Sequence, residues 1–229
     1  MFWDRVACVY DLFVNGFNRE NHEALRKIIG GMFGPGDRVL ECACGTGMLS
    51  RVIAGKCQSL TATDYSPKML ERARKNCSAF QNITFASADI TALDYPDGTF
   101  DKVVAGNVLH LLDDPLQALS QLNRVCKKGG QLILPTYMNR EQKGEAGRFI
   151  STVDRAGAGF RRQFTPESYR AFFRMAGYPD VQIMLANGRI PCAVAVMRKK
   201  EDGIMQSGTE LSGLGFLTAG WNGVKPDAI

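Results

Sequence analysis

The feature that most constrains the fold is an alternation between two kinds of segment from residue 36 to residue 197. Short runs with high β propensity alternate with longer amphipathic runs, an order typical of parallel strands joined by crossover helices. This alternation predicts a doubly wound α/β sheet. The five predicted parallel strands are Arg38–Glu41, Ser59–Asp64, Ile83–Ser87, Lys102–Gly106 and Gln131–Thr136.

Several of the helices between and after these strands have recognisable start signals. In each, a residue that can cap a helix with its side chain is followed by proline, which fits the first helical turn. The pairs are Ser66-Pro67 before Lys68–Cys77, Asp114-Pro115 before Leu116–Lys127, which Gly129-Gly130 ends, and Thr165-Pro166 before a helix that reaches about Met175.

The two ends of the alternating region carry further elements. Asn18–Gly31 reads as an amphipathic helix whose apolar positions are Leu25, Ile28, Ile29 and Met32. His22 lies on its polar face and is therefore expected to be exposed to solvent. Near the other end, Asp180–Leu185 and Cys192–Met197 read as strands joined through an Asn-Gly turn. They predict an antiparallel edge, so the sheet is expected to have seven strands, mostly parallel with an antiparallel last strand.

These elements divide the chain into three predicted parts. Residues 1–35 form an N-terminal helical cap or lid, and residues 36–200 form the core. Residues 201–229 contain many glycines and little periodicity, so they are expected to be a C-terminal tail, which is flexible in one interpretation.

The connection after the first strand consists of small residues. Ala43, Gly45 and Gly47 let the backbone turn sharply and approach a ligand closely, and free amides at the following helix start favour negative charge. The loop therefore indicates a nucleotide-type ligand. The alternative is a tight strand-to-helix turn that needs glycine for structural reasons alone.

Asp64 supports the ligand-binding interpretation. It ends the second strand, 19 positions after Gly45, where a carboxylate can accept hydrogen bonds from both ribose hydroxyls. A dinucleotide site would also place a third glycine where Ser50 stands, which argues against a nicotinamide or flavin cofactor.

Four motifs together carry a resemblance to a known family. The chain resembles the class I S-adenosylmethionine (SAM) dependent methyltransferases, specifically the type 11 branch that includes the ubiquinone and menaquinone biosynthesis methyltransferases, over roughly residues 1–198. The resemblance implies a Rossmann-like fold. The motifs are VLECACGTG from Val39, ATDYSPKML from Ala62, ADITALDYPDGTFDKVVAGNVLHLL from Ala88 and LNRVCKKGGQLIL from Leu122.

The resemblance also implies a cofactor, SAM, which leaves as S-adenosylhomocysteine (SAH), and a set of residues that hold it. The family's first loop glycine is Ala43 in this chain. By similarity, Gly45 and Gly47 pass under the methionine end of SAM, and Asn107 lies beside the methionine. Asp64 holds the ribose, Tyr65 and Met69 flank the adenine, and Asp89 accepts a hydrogen bond from the adenine amine. Glu41, Ala43 and Ile90 complete the set.

Two residues are candidates for catalysis, although methyl transfer needs a base only when the attacking atom has a proton to lose. His110 follows the fourth strand, where its alternative role is structural. Tyr10 lies in a segment whose Trp3 and Asp4 resemble the opening signature of the branch, which folds over the cofactor. The alternative for Tyr10 is core packing. Tyr137, just past the fifth strand, is a further candidate for the pocket.

Composition excludes several classes of function. The net charge of +5 comes from scattered residues, so no nucleic-acid surface is expected. The seven cysteines lack metal-ligand spacing, and burial is favoured over metal or arsenic chemistry at Cys42 and Cys44. Neither a signal peptide nor a membrane span is recognisable, so a cytoplasmic protein with reduced thiols is expected.

The sequence thus predicts a SAM-dependent methyltransferase that acts on a small-molecule acceptor by in-line displacement. A protein or RNA methyltransferase and a SAM-binding protein without turnover are the alternatives. The acceptor, the attacked atom and the oligomeric state stay open.

Overall fold

The structure is a computed structural model that describes residues 3–5, 7, 18–138, 161–188 and 190–199. Within these residues seven strands form one sheet in the order β3-β2-β1-β4-β5-β7-β6. Strands β1 to β5 pair in parallel, whereas β7 runs antiparallel to both of its neighbours, β5 and β6. The predicted fold class is confirmed. The strands are β1 Arg38–Cys42, β2 Ser59–Asp64, β3 Ile83–Ser87, β4 Phe100–Ala105, β5 Cys126–Tyr137, β6 Gln182–Ala186 and β7 Cys192–Arg198.

The helices begin where the capping signals place them. The side chains of Ser66, Asp114 and Thr165 each accept a hydrogen bond from a backbone N–H of the first turn, and each is followed by proline. None of the described helices combines the length and apolarity needed to cross a bilayer. The helices are α1 Arg19–Gly30, α2 Ser50–Ala54, α3 Pro67–Asn76, α4 Pro115–Val125 and α5 Pro166–Met175, with a 3-10 helix at Leu109–Leu111.

Strand β5 begins five residues earlier than predicted, because the chain enters the sheet directly from the end of α4. Gly129 has a φ of +70°, and a Cβ at Gly130 would lie 2.6 Å from the carbonyl oxygen of Asp101. The prediction that these glycines end the helix is wrong, because α4 ends at Val125 and both glycines lie within β5, where they serve an irregular strand entry. The pairing shifts there, since Phe100 pairs with Cys126 but Lys102 pairs with Gln131.

The two faces of the sheet are covered by different helices. On one face, α4 and α5 pack through side chains such as Leu119 and Phe173. On the other, α1, α2 and α3 pack over β-strand residues, and Leu25 and Ile29 of α1 are fully buried there. Helix α1 is therefore part of the layer that covers this face. The predicted tail, residues 201–229, lies outside the described residues.

The polar face of α1 is buried against the connection between β6 and β7. Asn18 exchanges two hydrogen bonds of 3.1 Å with the backbone of Ile190, and Asn21 Nδ2 donates to the carbonyl of Ala186 at 2.7 Å. A Cβ at Gly188 would lie 2.5 Å from Cβ of Asn21, so the contact is close. The prediction that His22 is exposed is wrong, because this docking leaves it 0% exposed.

Candidate active site

A cavity of about 350 Å³ opens at the carboxyl ends of β1, β2, β3 and β4. This volume falls within the range of ligand pockets, and the carboxyl edge is where open α/β sheets bind ligands. Its lining comes from the loop after β1, the start of α3 and the turns after β3 and β4, together with Trp3.

The loop after β1 is held in an unusual conformation. Ala43 and Gly45 both have a φ of +56°, a left-handed conformation that costs alanine about 1 kcal/mol. The N–H of Cys44 bonds to the carbonyl of Thr63 in β2. Gly47 does not line the cavity, and a Cβ there would lie 2.7 Å from Sγ of Cys77. Its lack of a side chain allows α3 to approach the loop.

Asp64 links this loop to the start of α3. Its Oδ2 accepts from the N–H of Gly45 at 2.8 Å, and its Oδ1 accepts from the N–H of Ser66 at 2.9 Å. Burial raises the pKa of Asp64, and these two N–H donors partly oppose that rise. Each carboxylate oxygen retains acceptor capacity, so the group can still bind hydroxyls of a ligand.

Glu41 lies deeper, at the end of β1, and is only 2% exposed. Ser50 donates to its Oε2 at 2.6 Å. Burial raises the pKa of Glu41 to about 8, with a smaller contribution from the charge of Asp64. At neutral pH the carboxyl is therefore largely protonated, and a cation bound beside it would favour its ionised form.

One wall of the cavity combines an exposed ring with apolar side chains. Tyr65 is 60% exposed, whereas Met69 and Ile90 are buried. Asp89 is exposed, and its Oδ1 already accepts from both the N–H and the hydroxyl of Thr91. The wall thus offers a flat aromatic surface next to a carboxylate.

Asn107 lies across the cavity, just after β4. It has a φ of +53°, and its N–H donates to the carbonyl of Pro135. Its Oδ1 is buried and has no hydrogen-bond partner among the described residues. A buried acceptor without a donor costs free energy, so this atom indicates a ligand that donates a hydrogen bond.

The N-terminal segment reaches the same cavity. Trp3 lines it, and Asp4 accepts a hydrogen bond of 2.6 Å from the hydroxyl of Ser66. This bond lowers the pKa of Asp4. Tyr10 lies outside the described residues, so its predicted role stays a prediction.

His110 lies in the 3-10 helix after β4, beside the cavity rather than in its lining. It is 5% exposed, and burial lowers its pKa to about 4, so the imidazole is neutral at neutral pH. Its ring lies 6.5 Å from the ring of Tyr137, and the hydroxyl of Tyr137 lies 2.7 Å from Nε2 of His22.

The cavity brings together all of the predicted cofactor residues except Gly47. Sequence reasoning missed Ser50 as the partner of Glu41, although a polar residue in place of a third glycine was the available signal. It also missed Leu111 and Leu112, which line the cavity beside Asn107 and carry no signal beyond their position after β4.

Comparisons with known proteins agree with this geometry. A family model described as a methyltransferase domain matches residues 40–134. The phosphatidylethanolamine N-methyltransferase of Cereibacter sphaeroides is 29% identical over 179 residues, which are 77% of this chain and 84% of that protein. The demethylmenaquinone methyltransferase of Staphylococcus aureus is 32% identical over 137 residues, 57% of this chain and 56% of that protein.

The fold is also that of solved methyltransferases. The crystal structure of a SAM-dependent methyltransferase from Thermotoga maritima superposes with a TM-score of 0.67 at 21% identity, over 87% of this chain and 99% of that one. The sheet order, the loop after β1 and the family match agree that this chain contains a methyltransferase domain, with the fold of solved SAM-dependent methyltransferases.

Proposed function

We propose that this chain binds SAM in the cavity and transfers its methyl group to a small-molecule acceptor. The observation that carries the proposal is the half-buried carboxylate of Asp64, held by the N–H of Gly45 at 2.8 Å on the wall of a cavity of about 350 Å³. A carboxylate fixed beside a left-handed glycine loop suits a ribose.

The lining fits the three parts of SAM in order along the sheet edge. Tyr65, Met69 and Ile90 offer apolar contacts for the adenine, and Oδ2 of Asp89 offers an acceptor for its amine. Asp64 accepts from the ribose hydroxyls. The orphan Oδ1 of Asn107 accepts from the methionine ammonium.

SAM supplies a methyl group on a positively charged sulfur, and the acceptor displaces it in line. The contribution of the chain is to position the two molecules and to exclude water. The segment that contains Trp3 is proposed to close over the cofactor, because Trp3 lines the cavity and Asp4 is bonded to Ser66 at the start of α3.

A small acceptor is favoured by the charges and by the relatives. The relatives named above act on phosphatidylethanolamine and demethylmenaquinone. The net charge of +5 is scattered along the sequence, without a concentrated basic stripe. The six described cysteines are free and buried, which suits the reducing cytoplasm proposed as its location.

Calorimetry with SAM tests the proposal directly. Asp64→Ala should weaken binding by about 1.5–3 kcal/mol, the scale of hydrogen bonds to a charged group. It also removes the acceptor of two backbone N–H groups, so some loss of stability is expected. Asp64→Asn keeps one acceptor oxygen and should fold better while still binding SAM more weakly.

Asp97→Asn is the matched control, since that carboxylate is paired with Arg124 away from the cavity. Its affinity for SAM should equal that of the wild type. A wild-type protein that binds NADH but not SAM would refute the proposal. SAM binding without SAH formation across small molecules, peptides and RNA would indicate a binding protein without turnover.

A further inference from the structure

Both histidines of this 229-residue chain flank one tyrosine. Nε2 of His22 in α1 lies 2.7 Å from the hydroxyl of Tyr137, the last residue of β5. The ring of His110 lies 6.5 Å from the ring of Tyr137, at an interplanar angle of 62°. His22 is 0% exposed and His110 is 5% exposed, whereas Tyr137 is half-buried.

The order of the sheet places this cluster beside the cofactor cavity. The cavity extends from the ends of β2 and β3, at Asp64 and Asp89, to the end of β4, at Asn107. Strand β5 is the next strand beyond β4, and the N–H of Asn107 donates to the carbonyl of Pro135, two residues before Tyr137. Tyr137 therefore lies past the methionine end, where an acceptor must approach.

The three side chains differ in what they can do. His22 is fully buried and cannot touch an acceptor, but its Nε2 can take a proton from the tyrosine. The hydroxyl of Tyr137 can donate to His22 and accept from a second molecule at the same time. Burial holds the pKa of His110 at about 4, so it is a poor base and instead packs edge-on against the tyrosine.

We propose that Tyr137 is the catalytic residue that takes the proton of the methyl acceptor, with His22 as the base behind it and a phenol as the acceptor. This inference rests on the proposed SAM-dependent transfer. A planar apolar acceptor suits this end of the site, since Leu111 and Leu112 line the cavity beside Asn107, and the ring of His110, the residue before Leu111, packs against the ring of Tyr137.

The step balances within these groups. The phenol O–H bond breaks, its proton moves to Oη of Tyr137, and the proton of Tyr137 moves to Nε2 of His22. The electron pair of the phenol oxygen forms the bond to the methyl carbon, while the pair of the C–S bond stays on sulfur. One positive charge disappears from sulfur as one appears on the imidazole, so the net charge of the buried site is unchanged.

Two phenols of different acidity test the proton transfer. At mildly alkaline pH 4-nitrophenol is ionised, whereas 4-methoxyphenol keeps its proton. Tyr137→Phe should lower methylation of 4-methoxyphenol at least about 100-fold, the usual contribution of a positioned base, and that of 4-nitrophenol less than about threefold. His22→Gln should show the same selectivity, because an amide can bond to Tyr137 but cannot take its proton.

Tyr169→Phe is the matched control. Tyr169 is also a buried tyrosine with a bonded hydroxyl, but it contacts Thr136 and Leu134 in the core on the other face of the sheet. Its loss should affect both phenols equally. Equal effects of Tyr137→Phe on both phenols would mean that its hydroxyl is only structural, and would overturn the inference.

The outcomes separate this inference from the proposed function. A wild-type protein that binds SAM in calorimetry but methylates neither phenol overturns the phenolic acceptor alone. A protein that does not bind SAM overturns both.

Nitrogen NMR gives a readout that is independent of activity. With only two histidines, ¹⁵N-histidine labelling yields two imidazoles, and His110→Gln identifies the signal of His22. In the SAH complex Nε2 of His22 should carry no proton, and its shift should move in Tyr137→Phe. A protonated Nε2 would make His22 the donor to Tyr137 and would overturn the relay.

Discussion

The two ends of the proposed active site differ in how their residues are brought together. The proposed cofactor end lines the cavity with Glu41, Gly45, Asp64 and Asp89, which lie at the ends of β1, β2 and β3 within about 50 residues of sequence. The proposed acceptor end lies beside the cavity and consists of His22, His110 and Tyr137, and its hydrogen bond joins residues 115 positions apart. The first end is formed by local strand-to-helix turns, whereas the second exists only after α1 has docked on the sheet.

The two ends also bury opposite kinds of titratable group. Glu41 is a carboxyl whose pKa burial raises to about 8, and His110 is an imidazole whose pKa burial lowers to about 4. Each group is neutral near pH 6. Each contributes less to the stability of the folded state when the pH changes in the direction that ionises the group. Because the two effects oppose each other between pH 4.5 and pH 6.5, the stability of the free protein should be highest in that range and should decrease on both sides of it.

The largest expected effect is at Glu41. Because its folded pKa lies above the ordinary value, the folded state holds an extra proton between those values, and stability is lost as pH rises through about 8. The full loss is about 5 kcal/mol, since the pKa differs by about 3.5 units at about 1.4 kcal/mol per unit. Glu41→Gln should remove it, so the variant gains stability relative to the wild type between pH 5 and pH 9, measured by urea unfolding.

Glu71→Gln controls for the loss of a carboxylate, since Glu71 is exposed and paired with Lys75. It should show no such alkaline gain. Parallel pH profiles of the wild type and Glu41→Gln would mean that Glu41 ionises as it does in water, and the contrast between the two ends would disappear.

The acid side of the profile should depend on His110. Its folded pKa is below the ordinary value, so its contribution is complete above about pH 6.5 and is lost as pH falls toward 4. The expected loss is about 3 kcal/mol. His110→Gln should flatten this acid limb in denaturant titrations while leaving the alkaline limb intact. Changes on both limbs would show that the substitution has disturbed the fold.

The difference between the two ends explains what the sequence could predict. At the cofactor end, short-range rules suffice, since small residues in the loop, Asp64 at the end of β2 and Ser66-Pro67 before α3 each act within a few residues. Strands β2 and β3 have the predicted bounds for the same reason.

At the acceptor end the decisive interactions are between distant segments. The periodicity of α1 correctly predicts that Leu25 and Ile29 are buried, but it places His22 on a polar face that the β6–β7 connection and Tyr137 cover. No local sequence pattern encodes these tertiary contacts. The early start of β5 was missed for a related reason, because Gly130 is required by contact with Asp101 of a neighbouring strand.

Gly47→Ala tests the cofactor end by packing. A Cβ there would lie 2.7 Å from Sγ of Cys77, and the φ of +88° is unfavourable for alanine. The expected loss is about 2–3 kcal/mol of stability, from overpacking and strain together. Adding Cys77→Ala should restore the part of the stability that is lost to overpacking, whereas the part lost to backbone strain at residue 47 should remain. A double variant no better than Gly47→Ala would show that the contact with α3 is not limiting.

The prediction with the smallest expected effect tests whether the acceptor end can be destabilised without a change at the cofactor end. Asn18→Ala removes both hydrogen bonds between α1 and the backbone of Ile190, and leaves that buried backbone pair unsatisfied. The expected loss of stability is about 1–2 kcal/mol. Hydrogen exchange of α1 amides should become faster, while SAM affinity measured by calorimetry should stay within about twofold, since α1 does not line the cavity. Arg19→Ala, next to it but exposed and paired with Glu23, should change stability by less than about 0.5 kcal/mol. If Asn18→Ala weakened SAM binding as much as it weakened the fold, the two ends would form one cooperative unit, and the docking of α1 would have to be counted as part of the cofactor site.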